Sequence, residues 1–495
     1  MKTPLRILRA LFAAIAPLAI TGTTAFADNY LVDPNYVGPS GAPYNGYTAA
    51  YNSVAAALAA SGGVPSGASA TNPNRIYFAP GTYNVGSSSL SYSASNVAFI
   101  GVTGNPGDVV ITSYLDGAIT GTTGSSSLQL KGSHTSAANI TFANSTDTPY
   151  IVNVVHQALN ADGTYTGPAQ TTNAQCVAIK ITGDQQAFQN CRFLGYQDTL
   201  YSSGGRAYFN NCYVSGDVDF IFGNGTLVFN HSQINLDGDH SGGTVTAAST
   251  DKRTSNGIVF LNSTITANSV KGDPVIDPYG AANASGAASG SMNLGRPWGW
   301  TQPGGDAGTV FINTKMAPAI KAAGWLAWDS TETFSLNGKN GGNPAEDTRY
   351  AEYNSTDLTG TAVDTSNRLS WSHQLTAAQA AAFTPQNLFS VESDYPWFGA
   401  GYSGSANPAD PNFSWPAYWG IRNSQNETNN DTVTGNPVAY SDPGWAVPGS
   451  WDADGQLALA IVAVPEPATL FLFAAALTLP VFCRRRSAVF VSSST

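Results

Sequence analysis

The sequence predicts an all-β solenoid, a right-handed parallel β-helix running from about Asn29 to Phe389. Three observations carry that expectation. A short pattern recurs at a period near 21 residues: Phe, any residue, Asn or His, then a small residue. Charged residues make up only 11% of the chain, while Gly alone contributes 51 residues, a balance that suits many short strands joined by turns. Helical periodicity is almost absent from the repeat region, and a period near 21 with β-rich runs is the mark of stacked coils.

The repeat appears as Phe188-Gln189-Asn190-Cys191, Phe209-Asn210-Asn211-Cys212 and Phe229-Asn230-His231-Ser232. It returns as Phe260-Leu261-Asn262-Ser263 and Phe311-Ile312-Asn313-Thr314, with longer steps where loops are inserted. The phenylalanines are expected to stack inside the solenoid and the small residues to sit at tight corners. An antiparallel sandwich is the competing architecture, but it gives no reason for five matches in one order. Other segments fit the coil scheme. Tyr51 to Ala60 reads as a short capping helix, and Arg75 to Tyr83 as strand then turn. Val97 to Ile100 reads as a buried strand ended by Gly101, and Ile140 to Asn144 as another coil strand. Ser145 to Asn173 lacks the pattern and reads as a long loop.

Both ends read as sorting signals. Lys2, Arg6 and Arg9 precede an apolar stretch from Leu11 to Ile20 and the small-x-small pattern Ala25-Phe26-Ala27. That apolar run is short of the ~20 residues a membrane span needs, so a signal peptide over 1–27 is expected rather than a first transmembrane helix. At the other end, Val464-Pro465-Glu466-Pro467 precedes an apolar run from Ala468 to Cys483 and then Arg484-Arg485-Arg486. A short hydrophobic segment with cations behind it holds its positive end in the cytoplasm. The alternative there is a plain C-terminal membrane anchor. Between the signals lie about 435 residues, ample for a large core. Gly399 to Trp451 changes character to Pro, Trp, Tyr, Asn and Ser. It reads as a linker or a packed extension more than a sugar-binding module. The expected organisation is therefore 1–27 signal, 28–398 catalytic β-helix, 399–463 extension and 464–495 sorting segment.

A net charge of −11 argues against nucleic acid as a partner. It would also repel a heavily charged polyanion, a problem that a neutral, esterified polymer avoids. Of the four cysteines, Cys483 lies in the tail, leaving Cys176, Cys191 and Cys212. No CxxC spacing exists, so no zinc site is indicated. Cys191 and Cys212 share a phase, each three residues after its Phe. They could form a disulfide between coils or stack as buried thiols; the export context leans toward the disulfide.

The repeat also places a candidate site. Asp198 lies ten residues after Phe188, and Asp219 ten after Phe209. Equal phase in successive coils sets the two carboxylates one above the other, at the ~4.8 Å spacing of neighbouring strands. Two such acids repel, so one should hold a proton more tightly, giving an acid and a nucleophile from one residue type. The competing reading is a pair of turn aspartates, each bonded to its own backbone.

At these residues a family resemblance emerges. Gly195-Tyr196-Gln197-Asp198-Thr199-Leu200-Tyr201 resembles the GYQDTLY signature of pectin methylesterases. Gly216-Asp217-Val218-Asp219-Phe220-Ile221-Phe222-Gly223 resembles their G-x-VDFIFG, and Leu294-Gly295-Arg296-Pro297-Trp298 their LGRPW. Gln175-Cys176-Val177-Ala178 is similar to their QAVA, with Cys for the first Ala. Weaker similarity runs from about Tyr47 to Phe389, including Gly324-Trp325 and Glu352-Tyr353-Asn354. The C-terminal segment likewise resembles the PEP-CTERM sorting signal of Gram-negative bacteria, which implies cleavage by an exosortase.

The resemblance implies a pectin-lyase-like β-helix and a carbohydrate esterase that releases methanol from methylated pectin. It implies Asp219 as nucleophile, Asp198 as acid then base, and Gln175 and Gln197 as donors to the oxyanion. Arg296 would hold Asp219 ionised and oriented. Tyr201, Phe222 and Trp298 would line the sugar cleft, with no metal or organic cofactor. An exported monomer, at the cell surface or extracellular and transiently membrane-anchored, is expected. Gln197 and Asp198 pose a difficulty, because neighbours on a regular strand face opposite ways. Both can serve one site only if the strand bends or ends there. Arg296 has no readable phase, since inserted loops precede it. Other functions stay open: polygalacturonases and pectate lyases share β-helices, but their aspartate–His clusters, or calcium sites beside a basic residue, are not seen near the signatures. A relative cleaving another ester or a thioester, and a non-catalytic glycan-binding surface protein, are the remaining alternatives.

Overall fold

A computed structural model describes residues 27–61, 68–146, 175–237, 243–250, 256–267, 287–298, 307–328, 348–389 and 451–461. The expected signal peptide, the body of the expected 145–173 loop, nearly all of the expected 399–463 extension and the expected sorting segment lie outside the described residues. Among the described residues no helix is long and apolar enough to cross a membrane.

The chain winds as a right-handed parallel β-helix whose walls are three long sheets of 13, 9 and 7 strands. In the middle of the solenoid each coil donates one strand to each wall. The coil around Phe188 illustrates it: Gln186–Gln189 joins the 13-stranded sheet, Arg192–Leu194 the 9-stranded sheet and Leu200–Ser202 the 7-stranded sheet. The next coil repeats the order with Arg206–Asn210, Tyr213–Gly216 and Ile221–Gly223. Pairing is parallel throughout these walls. The antiparallel exception is the hairpin Ala42–Tyr44 and Tyr47–Tyr51 at the start of the 13-stranded sheet. The expected capping helix forms as Val54–Ser61, and buries Val54, Ala57 and Leu58 in the core at this end.

The phenylalanine repeat is the spine of the core. Phe188, Phe209, Phe229, Phe260 and Phe311 are register partners from coil to coil and fully buried. Their rings stack nearly parallel, with centroids 4.9, 4.4, 4.9 and 4.5 Å apart in chain order. Strand spacing sets this distance, so one residue type at one phase fills the interior without gaps. The stack ends at the rung after Phe311, where Glu352 takes its place and pairs with Arg368.

One expectation is corrected here, and one alternative that the sequence left open is decided. The tight corner after each phenylalanine falls on the Asn or His, not on the small residue that follows. Asn190, Asn211, His231, Asn262 and Asn313 all have φ near +50°. Asn tolerates this left-handed conformation, because its short polar side chain bonds locally. Asn313 Nδ2 donates to Asn262 Oδ1 at 3.2 Å, and Asn354 Nδ2 to Asn313 Oδ1 at 2.9 Å. The small residues instead turn inward, and Cys191, Cys212, Ser232, Ser263 and Thr314 are buried. Cys191 and Cys212 are free thiols, not a disulfide. Burial pushes the Cys191 thiol up to about 12, so it behaves as a small apolar filler.

Candidate active site

The two long signatures occupy the corner between the 9-stranded and 7-stranded walls. Residues 195–199 connect Arg192–Leu194 to Leu200–Ser202, and residues 217–220 connect Tyr213–Gly216 to Ile221–Gly223. Gly216 is required by close approach: a β-carbon there would stand 2.3 Å from Phe220 Cβ.

Asp198 and Asp219 sit at equivalent places one coil apart, with φ of 66° and 50°. Their left-handed backbone is the bend that the adjacency of Gln197 and Asp198 demands. Gln197 still pairs as extended backbone, bridging Gln175 on one side and Val218 on the other. One residue later the chain turns, and strand alternation no longer separates the two neighbours. Gln175, Gln197 and Val218 thus form a half-exposed row beside the stacked aspartates. Gln175 Oε1 packs against the α-carbon of Gly117, where a β-carbon would stand 2.8 Å away.

Arg296 completes the group from a distant part of the sequence. Its strand, Asn293–Pro297, closes the 7-stranded wall. Register places Lys180, Tyr201, Phe222, Ala247 and Arg296 in one row across that wall. The flanking Ile179, Ile181, Leu200 and Ile221 point into the core, so the row faces outward. Arg296 reaches back over the row: Nε donates to Asp219 Oδ1 at 2.9 Å, and Nη2 to Oδ2 at 2.5 Å. This is the two-donor grip that a planar guanidinium makes on a carboxylate. Arg296 is 24% exposed and Asp219 7%, so the pair is sheltered from water yet open to a ligand.

Both aspartates are largely buried, but their surroundings differ. Burial first, and then the negative charge of Asp219, push the Asp198 carboxyl well above the usual range; Arg296 opposes this only in part. Asp198 accordingly retains its proton to higher pH than an ordinary carboxyl. Burial and the neighbouring Asp198 also raise the Tyr201 hydroxyl.

Tyr201, Phe222 and Trp298 come together as expected. Tyr201 and Phe222 stack at 4.4 Å with an interplanar angle of 9°, and Trp298 meets Phe222 edge-on at 5.7 Å. They pack with Val177 and Ala247 beside the acids. All eight residues expected at the site are therefore close to it.

Sequence reasoning missed two residues that touch the central pair. The Thr244 hydroxyl donates to Asp219 Oδ1 and accepts the Asp219 backbone N–H at 3.1 Å. Trp328 stacks on Arg296, with the guanidinium carbon 4.3 Å from the ring centre. Trp328 had a signal, since it closes Gly324-Trp325-Leu326-Ala327-Trp328, but Trp325 turned out to be core. Thr244 lies inside the longer step from Phe229 to Phe260, where the repeat gives no phase.

Comparison with known proteins places the chain among relatives of known family and fold. Residues 148–392 match the Pectinesterase family model, and residues 463–486 match the PEP-CTERM protein-sorting motif. The chain is 35% identical over 279 residues to Pectinesterase 31 of Arabidopsis thaliana, covering 56% of this chain and 68% of that protein. It is 33% identical over 250 residues to Pectinesterase 1 of Citrus sinensis, covering 49% of this chain but only 37% of that longer relative. Among solved structures, pectin methylesterase PemA from Erwinia chrysanthemi superposes with a TM-score of 0.52 at 28% identity, covering 74% of this chain and 97% of PemA. Pectin methylesterase from carrot superposes with a TM-score of 0.51 at 25% identity, covering 74% of this chain and 94% of the carrot protein. With 35% identity to a pectinesterase across 68% of that protein's length, and a β-helix shared with solved pectin methylesterases, the chain belongs to the pectinesterase family.

Proposed function

We propose that this protein hydrolyses the methyl esters of pectin, releasing methanol and leaving a carboxylate on each processed sugar. The observation that carries the reading is the asymmetry of the two acids: one gripped by Arg296, the other buried and pushed toward its protonated form. That division suits a nucleophile and a proton donor.

In this mechanism an Asp219 oxygen attacks the ester carbonyl, and negative charge develops on the carbonyl oxygen. Gln175 and Gln197 offer amide N–H groups to that charge. The carbonyl re-forms and the bond to the methoxy oxygen breaks. Asp198 gives its proton to the leaving oxygen, so methanol departs and an acyl–Asp219 anhydride remains. Asp198, now a carboxylate, takes a proton from water as the water attacks the anhydride. Cleavage restores the Asp219 carboxylate and frees the sugar as its carboxylic acid, which loses its remaining proton to solvent, while Asp198 keeps the proton it took from water. Arg296 keeps Asp219 aimed throughout, and Tyr201, Phe222 and Trp298 offer apolar faces to the sugar rings.

The C-terminal motif supports export and processing by an exosortase, with a signal peptide over 1–27 and the sorting segment at 464–495 flanking the catalytic coils. Every residue named comes from one chain, so a monomer suffices. The test is to incubate the purified protein with methylated pectin and follow both methanol and polymer length. Methanol without chain shortening is expected. Chain shortening would point to a lyase or hydrolase, and turnover of a thioester alone would point to a different leaving group.

A further inference from the structure

We propose that residues 451–461 are a clasp that fixes the chain's exit toward its sorting segment on the wall opposite the paired aspartates, so that a protein held by that segment turns its acid corner away from the membrane. The orientation rests on the sorting reading of the C-terminal motif; the clasp itself does not.

The outer face of the 13-stranded wall requires a cover. Phe188, Phe209 and Phe229 point inward, so their strand neighbours Ala187, Tyr208 and Val228 point outward. All three are nonetheless fully buried. A continuous apolar row on an outer face is unfavourable in water, and here later parts of the same chain lie over it. Phe389 meets Tyr208 edge-on at 6.0 Å. Trp451, Ala453 and Leu457 join the same cluster, each at most 5% exposed. Ala453–Ile461 is a nine-residue helix. A helix that short is marginal in water by itself, so its packing on the wall is what sustains it.

Polar contacts fix where the helix lies. Phe389 O accepts from the Trp451 backbone N–H at 3.2 Å and from Arg206 Nη1 at 2.9 Å. Arg206 is itself held by Asp184, which accepts from its Nε at 3.0 Å and its Nη2 at 2.9 Å. Gln456 Nε2 donates to Gln185 O at 3.0 Å and to Thr135 O at 3.4 Å, and Arg75 Nη2 donates to Leu459 O at 3.2 Å. The strands starting at Arg206, Gln186, Thr135 and Asn74 come in that order toward the N-terminal end of the wall. The helix therefore runs along the solenoid, starting over the coil of Arg206.

That placement sets the orientation. The coils passing through Gln186 and Arg206 go from the 13-stranded to the 9-stranded to the 7-stranded wall. The acids sit between the last two walls, so the 13-stranded wall lies across the solenoid from them. The coil of Gln186 carries Asp198, and the coil of Arg206 carries Asp219. The helix thus lies directly behind the two acids. It falls between the stretches matched to known families, which end at residue 392 and resume at 463. From Ile461 to the apolar run that starts at Ala468, the chain spans at most ~25 Å. With so short a tether, the 13-stranded wall is the face nearest the membrane, and the cleft opens outward toward a polymer.

The experiment has two arms, both on the full chain. The first measures amide hydrogen exchange of 453–461 in detergent solution. Exchange at least ~10-fold slower than in a free peptide of the same sequence is expected, because only docking protects so short a helix. Exchange at the free-peptide rate overturns the clasp. The second arm uses vesicles of phosphatidylethanolamine and phosphatidylglycerol that carry a nitroxide quencher on the headgroup. A fluorophore is placed by Ala458→Cys, on the exposed side of the clasp helix, or by Ile119→Cys. Ile119 is 61% exposed on the short helix Gly117–Gly124, whose Gly117 N–H donates to Gln175 O at 2.8 Å. Both carry Cys483→Ser, and the other three cysteines are buried. The Ala458→Cys label should lose fluorescence and the Ile119→Cys label should keep it. Equal loss at both positions, or the reverse order, overturns the orientation. Failure of the chain to bind the vesicles overturns the membrane part of the sorting reading instead, and the exchange arm still decides the clasp.

Discussion

Arg296 and Asp219, 77 residues apart in the chain, meet through two near-parallel hydrogen bonds, Nε to Oδ1 at 2.9 Å and Nη2 to Oδ2 at 2.5 Å. The guanidinium is itself backed by the Trp328 ring, 4.3 Å away. A fork held from behind fixes both the position and the plane of the carboxylate it holds. Arg296→Ala should therefore lower turnover on methylated pectin by ~100-fold, the scale of one strong preorganised electrostatic contact. Arg296→Lys should recover only part, because a point charge cannot reproduce two planar donors. Turnover and Michaelis constant measured against pH check this. A raised Michaelis constant with unchanged turnover would assign Arg296 to sugar binding instead.

Thr244 holds the other side of the same carboxylate. Its single hydroxyl accepts from the Asp219 backbone and donates to Oδ1, tying side chain and main chain together. Thr244→Val keeps the shape and removes both bonds, so turnover should fall by roughly 10-fold, of the order of one lost hydrogen bond to a charged group. Thr244→Ser should restore most of it. Loss of turnover in both variants with an equal loss of thermal stability would reduce Thr244 to a packing role.

Asp198 makes a prediction about pH and stability together. Its folded-state pKa is raised by burial and by Asp219, above the value it has in the unfolded chain. The linkage sign follows: the protonated side chain contributes fully below the unfolded carboxyl pKa, and that contribution is lost as pH rises through the folded value. Asp198→Asn removes the charge altogether. The variant should lose most activity, yet unfold at higher temperature than wild type at alkaline pH, by an amount of order 1 kcal/mol. The gain should vanish at pH 3, where wild-type Asp198 is neutral in both states. In the wild type, kcat/KM should fall as pH rises through the folded pKa, since the donor proton is then gone. Thermal unfolding of both proteins across pH decides it.

The far end of the solenoid depends on a buried ion pair. Glu352 replaces phenylalanine in the core stack, and Arg368 donates to it from Nε at 2.7 Å and from Nη2 at 3.1 Å. Arg368 also donates to the carbonyls of Lys321 and Ala322. Glu352→Ala would leave a buried guanidinium without its counter-charge, and should cost about 3–5 kcal/mol. Denaturant unfolding measures that loss; a change below about 1 kcal/mol would mean that the pair contributes little.

The legible parts of this molecule were those with an uninterrupted phase. Phe188, Phe209 and Phe229 step by one coil each, so their stack, and the stacking of Asp198 on Asp219, could be read from spacing. Thr244 and Arg296 could not, because they fall inside the longer steps of the repeat, Phe229 to Phe260 and Phe260 to Phe311, where the phase cannot be counted. The bend at Asp198 was hidden for a different reason. A left-handed φ at an aspartate leaves no periodic trace, and only the site's need to gather Gln197 and Asp198 together hinted at it. The corners fall on asparagine because a corner needs a left-handed backbone, not a small side chain. Asn meets the conformational need and bonds to its neighbours as well, which freed the next position to face the core.

The most direct measurement is methanol released from methylated pectin by the wild type and by Asp219→Asn, at matched concentration and with folding checked by circular dichroism. An amide matches the carboxylate in shape and is a poor nucleophile, so the fold should survive while release falls roughly 10³-fold or more. Wild-type rates of release from a well-folded Asp219→Asn protein would contradict the assignment of Asp219 as the group that attacks the ester.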